Sequence, residues 1–279
     1  MRIRFSADST CDMSAEFNQR YQVKVFPLSV QMGGKYYQDG VDITPEEIIA
    51  RVNKGEALPK TAAVNAAEYR EVFEEMLRDC DAVLHFAISS EMSCSYQNAC
   101  LGAEGLPVYC VDSRSLSSGI ALLLAEAADL RDEGMEAAAI AEEMKKIQEK
   151  LDVSFILDRL DYLYKGGRCS MLTVMGANVL HLKPCIEVKD GKMGVGKKYR
   201  GAYERCLRQY VADRLKDAAE ISPKRVYLTH TGISPEALKM VREMALEAIP
   251  FADVFETRAG CTITSHCGDN TFGILMVRK

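Results

Sequence analysis

The chain has 279 residues, 48% of them hydrophobic, with 35 Lys and Arg set against 40 Asp and Glu for a formal charge of −5. That length can bury a sizeable core and make two domains, and the interspersed charges leave no basic footprint for nucleic acid. No run of about 18 uncharged apolar residues occurs, and the start Met1-Arg2-Ile3-Arg4-Phe5 lacks a long apolar stretch, so a soluble cytoplasmic protein is expected.

Ile3 to Ala7 reads as a first strand closing on Asp8-Ser9-Thr10-Cys11-Asp12, polar groups at the strand end where open α/β sheets place ligands. Val23 to Val30 is a second apolar run, bent or confined to an edge by Pro27. After Gly33-Gly34 and Tyr36, Tyr37, Asp39 and Asp42, Thr44-Pro45-Glu46-Glu47 supplies an N-cap, an N1 proline and an acidic first turn for a helix through about Asn53. Leu58 to Asn65 is expected to be a loop that sets Thr61 ahead of a helix over Ala66 to Leu77. Ala82 to Ile88 forms a buried strand, and Ser89-Ser90-Glu91-Met92-Ser93-Cys94-Ser95 leads into a helix with Ser93 as N-cap. The first amides of a helix lack internal partners, and no Lys or Arg lies in this turn. Its neutral donors suit one carboxylate better than a polyphosphate, which recruits Lys, Arg or a metal; the same serines also serve simply as caps.

Leu106 to Asp112 is a further strand, again ending in polar residues, Asp112-Ser113-Arg114-Ser115. Ser117-Ser118-Gly119 opens a long apolar helix through about Arg131, and after Gly134 an amphipathic helix covers Met135 to Leu151. Strands and helices alternating at this spacing imply a mainly parallel sheet with right-handed crossovers, the fold of an N-terminal α/β domain over 1–152. A smaller mixed-sheet α/β domain is expected over 153–279. It opens on the strand Phe155-Ile156-Leu157 and passes the basic turn Lys165-Gly166-Gly167-Arg168 to a hairpin near 186–199, folded about Asp190-Gly191. Gly191 to Lys198 imitates a phosphate loop, but Lys198 stands where that motif needs Ser or Thr and no helix follows. Helices over Tyr203 to Ala218 and Pro235 to Ala248 and strands over Arg225 to Thr231, Asp253 to Arg258 and Thr271 to Arg278 complete the chain. Ala259 to Asn270 reads as a turn rich in glycine, hydroxyls and histidine.

A Ser-His-Asp hydrolase can be drawn from Ser93, His266 and Asp8 or Asp112, yet no G-x-S-x-G elbow surrounds any serine. Metal chemistry has only the adjacent pair His266-Cys267, whose side chains would point apart. The ten cysteines are dispersed without a C-x-x-C pair, the pattern of reduced and mostly buried thiols. His85, His181 and His230 sit in apolar runs as core histidines, whereas His266 lies among polar residues.

Taken in order, Asp8-Ser9-Thr10, Phe26-Pro27-Leu28 with Asp39 and Asp42, Lys60-Thr61, Ile88-Ser89-Ser90 to Ser93-x-x-Tyr96-Gln97-x-Ala99 and Val111-Asp112-Ser113 form one set of motifs. Tyr164-Lys165-Gly166-Gly167-Arg168, Lys183-Pro184, Asp190-Gly191, Lys198-Tyr199-Arg200-Gly201 and His266-x-Gly268 continue it. Together they resemble the DegV family across essentially the whole chain. The resemblance implies two α/β domains enclosing a long-chain fatty acid, the sole bound ligand, with no cofactor, no metal and no catalysis of its own. It implies the substrate-carrying subunit of bacterial fatty acid kinase, whose separate ATP-binding subunit makes the acyl phosphate for phospholipid metabolism; transient membrane contact fits that role. Thr61, Ser93 and Ser95 would then hold the carboxylate with His266 nearby, and Arg200 and Arg168 would lie on the rim facing the partner. A lipid sensor or transporter without a kinase partner, and more distantly a serine hydrolase, are the competing readings.

Two departures stand out: Ser93-Cys94-Ser95 replaces the family's Ser-Gly-Thr, and Cys267-Gly268-Asp269-Asn270 follows His266 in place of Gly-Pro-Gly. Asp269 would repel a carboxylate and is expected to face solvent. Burying about fifteen methylenes would gain roughly 10 kcal/mol before ordering costs, so affinity would come from the tail. Val83 to Ile88, Phe155 to Leu157 and Met171 to Leu182 are candidate tunnel walls.

Overall fold

The computed structural model describes residues 1–169 and 182–279. His181 and, Leu182 apart, the expected tunnel segment from Met171 to Leu182 lie outside them.

In chain order the first half comprises β1 (Ile3–Asp8), α1 (Ala15–Tyr21), β2 (Lys24–Phe26), β3 (Ser29–Met32), β4 (Lys35–Gln38), α2 (Pro45–Asn53), β5 (Lys60–Ala62) and α3 (Ala66–Met76). Then come β6 (Ala82–Ala87), α4 (Ser95–Ala103), β7 (Val108–Asp112), α5 (Ser118–Asp132) and α6 (Ala137–Ile147). The second half comprises β8 (Leu151–Ile156), α7 (Asp161–Gly166), β9 (Leu182–Lys189), β10 (Lys192–Arg200), α8 (Tyr203–Arg214), β11 (Ile221–His230), α9 (Pro235–Ala248), β12 (Asp253–Arg258), α10 (Cys261–Cys267) and β13 (Phe272–Arg278).

The described residues form three sheets: a parallel one in the order β2-β1-β6-β7, an antiparallel one, β4-β3-β5, and a mixed one, β10-β9-β8-β13-β11-β12. The inner strand β6 is buried at every position, as a parallel strand covered on both faces must be. Its one polar side chain, His85, is matched by Ser6 Oγ, 3.0 Å from Nδ1. Helix α5 is buried from Ser118 through Ala125 because it touches β1 and β6 of one sheet as well as β11 and β13 of another. One apolar cluster therefore runs from Phe5, Leu84 and Phe86 through Leu123 to Phe155, Tyr227 and Phe255, joining the parallel and mixed sheets.

Several local expectations give way to tertiary pairing. The run from Val23 to Val30 is two strands in two sheets, broken at Pro27-Leu28, where the Leu28 amide donates to Ser9 Oγ. The expected loop around Thr61 contains β5, extended because Val30 and Thr61 pair across the small sheet. Helix α6 ends at Ile147, and Leu151 already belongs to β8. Helix α4 begins at Ser95, one residue later than a Ser93 cap implies, with Cys94 at the cap position. The largest difference is α10, which occupies the expected turn. The hairpin is as anticipated: Lys189 pairs with Lys192, and Asp190 and Gly191 both take positive φ, 51° and 78°.

Candidate functional site

A cavity of about 320 Å³ opens where the three sheets converge. Strand β5 and its exit supply Thr61, Ala62 and Ala63; the β6–α4 turn supplies Ile88, Met92, Ser93 and Cys94; α10 supplies Thr262, Ile263, His266 and Cys267. Leu28, Leu116, Leu163 and Met193 complete an apolar wall, with Arg168 at its edge. Asn98 Nδ2 donates to Val64 O at 2.8 Å, tying the β5 side of the cavity to α4.

At the polar end Thr61 Oγ1 lies 2.9 Å from His266 Nε2, while His266 Nδ1 is buried without a hydrogen-bond partner. Burial, and then the nearby Arg168 charge, lower the His266 pKa to about 4, so the ring is neutral at pH 7. A buried orphan N–H is costlier than an unused lone pair, which assigns the proton to Nε2. His266 then donates to Thr61 Oγ1, and the Thr61 hydroxyl hydrogen is free to donate to an anion in the cavity. Ser93 Oγ accepts from the Ser95 amide at 3.2 Å and lies 3.0 Å from Ser95 Oγ; it works inside the turn and not as the expected N-cap of α4.

Helix α10 is only seven residues long and is held from outside. Asp39 accepts from the Cys261 and Thr262 amides at 2.7 and 3.0 Å, and Asp12 accepts from the Gly260 amide at 2.7 Å. Three amides around the first turn of the helix are thus satisfied by carboxylates more than 200 residues away. Burial pushes Asp12 up to about 8, against hydrogen bonds from Ser117 and Gly260 that favour its anion. These clamps hold the helix that carries His266. Asp39 stood among the sequence motifs without a role, and nothing local to Gly260-Cys261-Thr262 pointed to it.

Of the residues singled out beforehand, Thr61, Ser93, His266 and Arg168 share the cavity. Ser95 is buried one step behind Ser93, and Arg200 is exposed at the end of β10, outside the lining. Arg168 Nη1 donates to Gly166 O at 2.9 Å, which sets its stem against the cavity edge. The carboxylates that end β1 and β7 serve structure: Asp8 accepts from Tyr69 Oη and the Ile88 amide, and Asp112 from Ser90 and the Arg114 amide. Asp269 does not face solvent as expected; it is half-buried near Arg159 and Tyr162, with Oδ1 lacking a hydrogen-bond partner. His266 bonds Thr61 and not Ser93, and no carboxylate orients its Nδ1, a geometry unlike a Ser-His-Asp triad. Cys94 is exposed, whereas Cys11, Cys185, Cys206, Cys261 and Cys267 are buried thiols. Among the described residues no cluster of three or more His, Cys, Asp or Glu could hold a metal, and no helix is long and apolar enough to cross a membrane.

Fold and cavity define an α/β protein with a largely apolar cavity, headed by the Thr61–His266 pair. The chain belongs to the DegV family, whose sequence profile matches residues 2–279. It is 28% identical to a DegV domain-containing protein of Caldanaerobacter subterraneus subsp. tengcongensis, over 100% of this chain and 99% of that one. A DegV domain-containing protein of Clostridium perfringens is 31% identical over 72% of this chain and 73% of its own. A DegV family protein from Thermus thermophilus, described as fatty acid binding, superposes with a TM-score of 0.91 at 29% identity, all of both chains being covered.

Proposed function

We propose that this protein binds a long-chain fatty acid and presents its carboxylate to a separate ATP-dependent fatty acid kinase subunit, which makes the acyl phosphate. The observation that carries the reading is the Thr61–His266 pair heading an apolar cavity that also holds Ser93. The fatty-acid-binding description of the Thermus relative supports it. In this reading Thr61 and Ser93 donate to the carboxylate, Ser95 steadies Ser93, and neutral His266 orients the Thr61 hydroxyl. An unpaired buried carboxylate costs several kcal/mol, whereas each buried methylene gains about 0.8 kcal/mol; the head need only offset its own desolvation. Held by neutral donors, the carboxylate remains an anion able to attack a γ-phosphorus while ADP leaves. Arg168 at the cavity edge and Arg200 on the exposed end of β10 contribute charge toward the partner, and 1–152 and 153–279 act as the two domains around the ligand.

Extraction of the purified protein and mass spectrometry is expected to yield a long-chain fatty acid. The delipidated protein is expected to rebind it and, with a fatty acid kinase subunit and ATP, to yield acyl phosphate. Failure to rebind any fatty acid overturns the reading. Binding without phosphorylation removes only the kinase half and leaves a lipid sensor or transporter.

A further inference from the structure

Tyr96 belongs to the sequence motif around Ser93 but does not line the cavity. It lies on α4, which connects the parallel strands β6 and β7 and so runs back against both. The outer strand of that sheet is β7, and its side chains alternate between two faces. Tyr109 and Val111 join the large cluster that contains α5 and α6, whereas Val108 and Cys110 join the one that contains Ala99 and Ala103 of α4. Four residues along a helix advance about 6 Å and two along a strand about 6.6 Å, so α4 from Tyr96 to Cys100 keeps step with β7 from Asp112 back to Cys110. Two facing pairs result, Tyr96 near Asp112 and Cys100 against Cys110.

The two thiols share a hydrogen bond in which Cys110 is the donor, and Tyr96 Oη donates a second one to Cys100. Both cysteines are unbridged and half-buried, within reach of a small solute at the edge of the sheet. The bond from Cys110 holds the Cys100 thiol below the usual thiol range, while burial and the Asp112 charge act the other way. That same bond, together with burial, pushes Cys110 up. Cys100 is thus the nucleophile of the pair and Cys110 the resolving thiol.

We infer that Cys100 and Cys110 form a site of reaction with hydrogen peroxide, closing to an intrachain disulfide between α4 and the edge strand β7. The inference is independent of the fatty-acid reading. The Cys100 thiolate attacks one peroxide oxygen; the O–O bond breaks, hydroxide leaves and a sulfenic acid forms. Cys110 gives its proton to that hydroxide, making water, and its thiolate displaces hydroxide from the sulfenic sulfur. Each sulfur loses one electron, the peroxide takes up two, and an S–S bond replaces the hydrogen bond between the thiols. Closure ties to the sheet edge the helix that begins at Ser95, the partner of Ser93.

The test exposes the reduced full chain to a small molar excess of hydrogen peroxide, alkylates the remaining thiols and cleaves after Glu91, Glu104 and Arg114 for mass spectrometry. The expected product is peptide 92–104 joined to 105–114 through Cys100 and Cys110, two hydrogens lighter than the separate peptides and parted again by dithiothreitol. In Cys110→Ser, dimedone is expected to trap a sulfenic acid on Cys100, roughly tenfold more than it labels Cys110 in Cys100→Ser, with circular dichroism confirming that both variants fold. A wild type in which these two thiols stay reduced overturns the inference even if neither variant folds. So does a bridge from Cys94 in place of Cys100, a bridge that forms only in urea, or a sulfinic acid on Cys100 without any bridge. Dimedone labelling of the two folded variants within twofold of each other overturns it as well.

Discussion

Gly166→Ala adds one methyl group at the end of α7, a hundred residues from His266. Helix propensity alone makes the change favourable, since alanine in place of a helical glycine is worth up to about 1 kcal/mol. The site reverses that expectation. A Cβ built on Gly166 would stand 2.4 Å from His266 Nδ1, with Cε1 at 3.3 Å and Cγ at 3.4 Å. Relief requires the ring to move by about 1 Å, a normal carbon–nitrogen contact being near 3.5 Å. His266 Nε2 is already 2.9 Å from Thr61 Oγ1, so a shift of that size away from Gly166 takes the pair out of hydrogen-bonding range or drives it into contact. A buried hydrogen bond lost in this way costs on the order of 1–3 kcal/mol, and the carboxylate loses an oriented Thr61 hydroxyl. Fatty acid affinity is expected to fall ten- to a hundredfold, with little net change in thermal stability as helix propensity offsets part of the clash. Titration of delipidated protein reads the first quantity and differential scanning calorimetry the second. Gly167→Ala is the control: φ there is +69° and nothing lies within 4 Å of the added carbon, so it costs stability through backbone strain and leaves affinity unchanged. Wild-type affinity in Gly166→Ala, within twofold, would refute the role given to the His266–Thr61 pair.

The remaining predictions concern the clamp, the pH profile and the hairpin. Asp39→Asn turns an NH₂ toward amides that now donate to a carboxylate, and urea unfolding is expected to show a loss of about 2–4 kcal/mol, accompanied by weaker ligand binding. His266 titrates near 6.5 when unfolded but near 4 when folded, so the unfolded chain binds more protons between those values and stability falls as pH drops through them. The contribution is up to roughly 3 kcal/mol, and chemical denaturation of His266→Gln at a series of pH values is expected to show a flatter acid limb. Asp12 has the opposite sign: with its pKa raised from 3.8 to about 8 by burial, the folded state keeps a proton the unfolded chain releases, so stability declines as pH rises across that window. Asp12→Asn is expected to remove that decline and to be the more stable protein near pH 9. Gly191→Ala would place a carbon 2.7 Å from Ser89 Oγ and 2.9 Å from Arg114 Cζ at a φ of +78°, and limited proteolysis is expected to cut the undocked hairpin first.

How far the sequence carries this protein depends on how local each cause is. Pro235–Ala248 and Asp253–Arg258 have the bounds expected of them, because Ser234 caps the Ala237 amide three residues on and, in the strand, buried Phe255 and Thr257 alternate with exposed Glu256 and Arg258. The buried strand Ala82–Ala87 and the Asp190-Gly191 hairpin were equally legible from composition and turn chemistry. Thr61, Ser93 and His266 were nameable through their place in a family pattern, whereas their meeting at one cavity was not. A seven-residue segment such as Cys261–Cys267 cannot repay helix nucleation alone. It is helical because Asp39 and Asp12 reach its first turn from 222 and 248 residues away, and Thr61 meets His266 across 205. Period and propensity are properties of neighbouring residues; the polar head of this cavity is built from pairings that only the closed chain brings within 3 Å.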